Sequence, residues 1–320
     1  MSYAAEARGT SGHLPRAGRV ALMSPLGRYT AAAMASSAVV IRRYSTSFGL
    51  ACRLLSPALR PEIENVYALV RLADEVVDGA AMGAGLTVPA VLAQLDILEG
   101  ETYAALELGY STNLVVHAFA QTARRAGIGR DLVTPFFASM RRDCSPQAHS
   151  GESLEEYIHG SAEVVGLMCL RVFLSDAEAT PQERSVMAES ARRLGAAFQK
   201  VNFLRDLGQD ETLLGRQYFP GVDPRHLHEV QKSALVAELR ADLGAALPGL
   251  RLLPASSRRA VALDYGLFSE LADRIDACPA DLLATTRVSV PASTKMRVAA
   301  SVLLGFDSGS GGRVRTGRAA

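Results

Sequence analysis

Two carboxylates four residues apart are the first residues in this chain whose type and spacing could do chemistry. In ENVYALVRLADEVVDGA, a helix would stack Asp74 above Asp78 on one face, with Tyr67 and Arg71 continuing the stripe toward its N-terminus. Like charges at this spacing oppose helix formation unless a cation lies between them. Hard ions such as Mg²⁺, with Mn²⁺ as a substitute, take oxygen ligands of this kind. An isolated DxxxD also fits a solvated helix end, so the pair alone decides little.

A second stretch changes the weight of the first. QKVNFLRDLGQD sets Asn202, Asp206 and Asp210 at successive four-residue steps, with Gln199 and Arg205 beside them. Two such faces, about 130 residues apart in sequence, make sense together if two helices of a bundle present them to one cavity, which is how metal sites in bundle cores are built. Mg²⁺ keeps several waters and is commonly completed by phosphate oxygens, so the implied ligand is a diphosphate. Arg71, Arg205 and Arg216 can grip phosphate through paired N–H groups, a surface role for Arg216 remaining open.

Helices must position both faces. Apolar residues recur at helical spacing in stretches 61–77, 88–108, 113–126, 154–174, 181–207 and 232–247, and alternating β patterns are nearly absent. Breaks are expected at 79–89, 127–129, 144–151, 208–224 and 248–257, where Gly and Pro concentrate. The fold class is therefore all-α, a single helical domain over residues 26–305 with a cavity at its centre. Residues 1–25 and 306–320, rich in Gly, Ser and Arg without periodicity, read as disordered tails.

Composition excludes several classes. The 34 basic and 33 acidic residues cancel almost completely, so no bulk charge calls for nucleic acid. Cys52, Cys144, Cys169 and Cys278 lack the close spacing of a zinc or redox motif and read as reduced thiols of a cytoplasmic protein. No stretch has the length and apolarity of a membrane span. His226 and His228, read as a helical HxH, would point to different sides and are expected at the surface.

These residues resemble the squalene and phytoene synthase family. The likeness runs from the SxSF-like segment and first aspartate-rich motif, YSTSFGLACRLLSPALRPEIENVYALVRLADEVVDG, through SMRRDC and EEYIHGSAEVVGLM. It continues in LGAAFQKVNFLRDLGQDETLLGRQYFP, similar to the second aspartate-rich motif and its GRxYxP follower, and ends in TTRVSVPASTKM. The resemblance implies the isoprenoid synthase helical bundle, with Mg²⁺ held by Asp74, Asp78, Asn202, Asp206 and Asp210. It implies diphosphate contacts from Tyr44, Ser45, Ser47, Tyr67, Arg71, Gln199 and Arg205, and cavity-lining tyrosines at Tyr157 and Tyr218. Three departures stand out: Ser161-Ala162-Glu163 in place of Val-Ala-Gly, a longer loop from Asp210 to Gly215, and Ala280 in place of a tyrosine.

The implied reaction joins two allylic diphosphates head to head through a cyclopropylcarbinyl diphosphate. The wording STSFGLA, YALVRLADEVVDG and GSAEVVGLM is most similar to bacterial members that use two geranylgeranyl diphosphates and make phytoene without NADPH. Sister enzymes making squalene, hydroxysqualene or dehydrosqualene from farnesyl diphosphate, and a non-catalytic member, are the alternatives. Asp74, Asp78, Asp206, Asp210, Arg71 and Tyr157 are the expected catalytic set. Leu167, Met168, Leu170, Val172, Phe173, Leu194, Phe198 and Val201 are candidates for an apolar wall that keeps water from the allyl cation. Loose attachment to a membrane surface and contact with downstream carotenoid enzymes are the expected partnerships.

Overall fold

Helix ends in this protein follow the chemistry of their capping residues. Asn113 Oδ1 accepts the backbone N–H of Val115 at 3.1 Å, and Ser150 Oγ accepts that of Ser153 at 3.2 Å. Thr180 and Glu183 form a reciprocal box: Thr180 Oγ1 accepts the Glu183 N–H at 3.2 Å while the Glu183 carboxylate accepts the Thr180 N–H at 2.8 Å. Gly109 and Gly127 close two helices at φ 72°, where only glycine is unstrained.

The computed structural model describes residues 24–144, 150–209, 218–223, 226–283 and 285–305. The tail segments 1–23 and 306–320, together with Asp210, the departing loop and Arg216, lie outside them. The helices in order are α1 (Pro25–Tyr44), α2 (Ser47–Cys52), α3 (Leu59–Asp78), α4 (Ala80–Gly83), α5 (Val88–Leu108), α6 (Leu114–Ala126), α7 (Arg130–Asp143) and α8 (Gly151–Ile158). A five-residue π-helical turn, His159–Glu163, leads into α9 (Val164–Phe173), α10 (Pro181–Gln209), α11 (Glu229–Leu252), α12 (Ala255–Ala277), α13 (Ala280–Leu283) and α14 (Ala292–Leu303). No strand occurs among the described residues, and no helix there is long and apolar enough to cross a membrane.

Three details correct the sequence expectations. Ser24 caps α1 and Pro25 starts it, so helix begins inside the stretch read as tail. Pro248 lies within α11, where a break was expected; its ring deprives only the Gly244 carbonyl of a helical N–H, and Gly244 is exposed to water. His228 is the N-cap of α11 and exposed His226 bonds Asp223 at 2.8 Å, so the HxH precedes the helix. Helices α1, α2, α4, α7, α12, α13 and α14 were not read from periodicity.

Helix α10, about 44 Å long at 1.5 Å per residue, is the spine of the bundle and packs along α11, α9 and the π turn. Small residues set the spacing. A Cβ on Gly166 would stand 2.6 Å from the Ala191 carbonyl oxygen, and one on Gly195 would stand 2.6 Å from that of Ala162. Gly249 of α11 donates its backbone N–H to Ser190 Oγ at 2.9 Å. These contacts lock α9 and α11 against α10.

Gly166→Ala is therefore expected to destabilise the fold by about 1–3 kcal/mol through overpacking. Urea unfolding checks it: an unchanged midpoint would mean that α9 can move away from α10 without penalty.

Candidate active site

The first acidic face forms where the sequence places it. Asp74 and Asp78 lie in the last two turns of α3, and Arg71 stands 3.9 Å from Asp74 while pairing closely with Glu75. The Arg71 guanidinium sits 4.5 Å over the ring of Tyr44, an exposed residue at the end of α1. Ser45, just beyond α1, accepts the Phe48 N–H at 3.2 Å, and its side chain also bonds Tyr67; Phe48 stacks on Tyr67 with ring centroids 5.5 Å apart. Tyr44, Ser45, Tyr67, Arg71 and Asp74 thus form one connected patch at the junction of α1, α2 and α3, with Ser47 opening α2 beside it.

Electrostatics mark this patch as unbalanced. The Asp74 carboxyl is pushed up to about 8, first by burial, then by the negative charge of Asp78, with Asp143 and Glu75 adding to it and Arg71 opposing. Arg71 Nε is buried and finds no hydrogen-bond acceptor among the described residues. A site with surplus carboxylates and an unused guanidinium N–H suits a cation together with an anion. Asp143, at the end of α7, was not assigned to the site from sequence, although SMRRDC carries it.

The second face is built differently. Gln199, Asn202, Arg205 and Asp206 lie on α10, and Asp206 is held by Arg205, whose Nε is 3.0 Å from Oδ1, and by Arg287, whose Nε is 2.8 Å from the same oxygen. Arg287 was missed because it lies some 80 residues away, in the connection between α13 and α14. It belongs to the TTRVSVPASTKM segment, which was the available signal. A chain of contacts links the two faces: Asp143 acts on Asp74, the Tyr157 hydroxyl bonds Asp143 at 2.7 Å, and the Tyr157 ring packs 6.0 Å from Phe203, between Asn202 and Asp206.

Tyr157 and Tyr218, expected at the cavity wall, lie in an aromatic cluster with Phe203. Both are buried; Phe203 stacks on Tyr218 with ring centroids 3.9 Å apart, and the Tyr157 ring lies 6.0 Å from each of them. Neither is among the residues that line the apolar cavity next to α10; both belong to a buried cluster with Val201, Phe203 and Leu204. Their place is to support the acidic helix, and Tyr157 also holds Asp143.

An apolar cavity of about 240 Å³ lies between α2, α3, α9, α10, α11 and α12. Of the candidate wall residues, Leu170, Phe173, Leu194 and Phe198 line it; Leu167, Met168, Val172 and Val201 turn into the surrounding core. Gln199 marks one end of its α10 wall and Met187 the other, twelve residues or about 18 Å along the axis. The cavity therefore runs inward from the level of Gln199, one turn before the second acidic face begins.

Among the described residues, no three His, Cys, Asp or Glu side chains converge closely enough to hold a metal alone. Asp74 and Asp78 on one helix and Asn202 and Asp206 on the other offer oxygen donors, the kind of incomplete set that a hydrated hard ion shares with a phosphate ligand.

The fold is that of the helical isoprenoid synthases. A solved dehydrosqualene synthase superposes with a TM-score of 0.73 at 21% identity, covering 89% of this chain and 100% of that one. A squalene synthase from Alicyclobacillus acidocaldarius gives 0.66 at 19% identity, covering 78% and 96%. The squalene/phytoene synthase family profile matches residues 41–294, and the chain belongs to that family. It is similar to the 15-cis-phytoene synthase of Paracoccus sp. (strain N81106 / MBIC 01143), 30% identical over 188 residues, which are 58% of this chain and 59% of that protein. It also resembles the phytoene synthase of Mycobacterium tuberculosis, 28% identical over 283 residues, 82% of this chain and 88% of that protein.

The raised Asp74 carboxyl gives a signed prediction. The folded state keeps this proton above the unfolded value near 3.8, so in metal-free protein the group opposes folding increasingly from about pH 4 to about pH 8. Asp74→Asn removes that opposition. Because a third of the side chain meets solvent, the expected gain at pH 8 is only about 1 kcal/mol, vanishing near pH 4. Urea melts at the two pH values check it, and equal or lower stability of the variant at pH 8 contradicts the repulsion.

Proposed function

We propose that this chain is a phytoene synthase that joins two molecules of geranylgeranyl diphosphate head to head through a cyclopropylcarbinyl diphosphate. The observation that carries the reading is the juxtaposition of carboxylates and guanidinium groups with a deep apolar cavity between the same helices. A ligand with a diphosphate head and a long hydrocarbon tail satisfies both halves. The named phytoene synthases among the relatives, two of them bacterial as cited above, support the choice of product.

Mg²⁺, or Mn²⁺ in its place, would be held by Asp74, Asp78, Asn202, Asp206 and Asp210, and would neutralise charge on the leaving diphosphate. Arg71, with its unused Nε, and Arg205 and Arg287, which can turn from Asp206 toward phosphate, add fixed positive charge where the leaving group develops its own. Tyr44, Ser45, Ser47, Tyr67 and Gln199 orient the head groups. Leu170, Phe173, Leu194 and Phe198 present hydrocarbon to the allyl cation and deny it water. The final cation loses a proton, so no NADPH is required. The exposed Met296, Leu303 and Leu304 of α14 and its end, near Lys295 and Arg297, support loose docking on a membrane surface that would receive the product.

Asp78→Ala or Asp206→Ala should lower turnover by about 10³-fold or more at saturating Mg²⁺ while the helical circular dichroism is retained. Near-normal activity in either variant removes the clamp. Chromatography of products from geranylgeranyl and farnesyl diphosphate, each with and without NADPH, tests the substrate: phytoene from the C20 substrate without NADPH is expected, and turnover of farnesyl diphosphate alone refutes the assignment. Sedimentation with anionic vesicles tests docking, which fails if the protein stays in solution at every ionic strength.

A further inference from the structure

The apolar cavity contains two polar atoms that its own walls do not satisfy. Asp264, on α12, lines it and is 6% exposed, yet its Oδ1 finds no hydrogen-bond partner among the described residues. Ser161, in the π turn, lines the same cavity, and its buried Oγ is likewise without a partner. Ser161 is one of the departures noted in the sequence. A buried polar atom left unpaired costs its desolvation without return, so two in one cavity ask for a ligand that pairs them.

The position of Asp264 says where on the ligand this pairing falls. One helical turn beyond it, Phe268 stacks on Phe198 at 3.7 Å, next to Gln199 and the diphosphate end. One turn before it, Val261 joins Met187 and Leu253 at the closed end. Asp264 therefore faces the middle of the cavity. Cys52 and Cys169 are its neighbours there: both thiols are raised by burial and then by Asp264, that of Cys169 to about 12. Burial pushes the Asp264 carboxyl well above the usual carboxylate range, a direction that favours the neutral acid, which both donates and accepts a hydrogen bond.

We propose that Asp264, with Ser161, forms a hydroxyl-binding subsite halfway down the prenyl cavity. The shared chemistry is one O–H group held against the hydrocarbon chain. Its source is a single confined water lying beside an ordinary chain, or a hydroxyl carried on the chain of an oxygenated prenyl diphosphate. This inference rests on the prenyl diphosphate reading above and adds a determinant of chain selectivity that the acidic faces do not supply.

The test uses geranylgeranyl S-thiolodiphosphate and an analogue with a hydroxyl on a middle isoprene unit, each bound with Mg²⁺ to wild type, Ser161→Ala, Asp264→Asn and Asp264→Leu. Asp264→Leu should weaken the hydroxylated analogue about tenfold relative to the plain one, with a smaller change in the same direction for Ser161→Ala. Preference of wild type for the hydroxylated analogue identifies the chain as the source. A water bonded to Asp264 Oδ1 in crystals of the plain complex, absent from Asp264→Leu, identifies water. If the relative affinities are the same in all four proteins and no water is ordered at Asp264, the subsite does not exist. Failure of both analogues to bind wild type would sink the prenyl diphosphate reading instead, and the crystal structure of ligand-free protein still decides whether Asp264 holds a water.

Discussion

Carboxylates repel, and this protein gathers them where water cannot fully screen the repulsion. Burial first, and then the charges of Asp78 and Asp143, raise the Asp74 carboxyl to about 8, a cost that isolated helices would relieve by fraying. The bundle prevents that escape. Asp78 is the last residue of α3, which buries Val66, Leu69 and Ala73 in the main core away from the acidic stripe; Asp143 ends α7, whose Phe136 and Phe137 are wholly buried. Hydrophobic burial on the far side of each helix thus holds charges together on the near side.

The second acidic face manages the same problem by pairing. Arg205 and Arg287 both grip Asp206, whereas Asp74 has only the more distant Arg71 to set against Asp78 and Asp143. The asymmetry gives the two faces different readiness. One is an open demand for positive charge, and the other is a store of guanidinium groups that a phosphate can draw on. Between them the aromatic stack of Tyr157, Phe203 and Tyr218 acts as a rigid spacer.

Much of this was legible in the sequence because helical spacing projects directly into space. Asp74 and Asp78, or Asn202 and Asp206, share a face by periodicity alone, and α5, α6 and α10 were bounded to within a few residues by their caps and glycines. What stayed hidden depends on contacts distant in the chain. Arg287 meets Asp206 only because α13 and its connection fold back; Asp264 faces a cavity, and Tyr157 turns its ring away from one, for reasons set by neighbouring helices. Helix α1, with its run of Ala and Ser, has too weak an apolar stripe to be read, and α12 buries Asp264 and Ser257 on the face where a pattern would call for apolar residues. Pro248 misled because the carbonyl whose bond it removes, that of Gly244, lies on an exposed stretch of α11 where water can take the place of the missing N–H.

The mouth of the site is assembled from both ends of the described chain. Lys295 Nζ reaches Thr46 Oγ1 at 3.4 Å across 249 residues of sequence, in the neighbourhood where Ser45, Ser47 and Tyr67 meet, and α14 rests against α2 and α12 through Val302, Ala51 and Leu263. Such a closure spans most of the described chain, and loop entropy must be surrendered before it returns any contact energy. During synthesis, α3 can leave the ribosome and pack its core face long before Arg287 and Lys295 exist. A nascent chain therefore holds an uncompensated acidic helix next to an open hydrocarbon cavity until its last helices arrive, and the interval between those two events is when this protein is most exposed to aggregation.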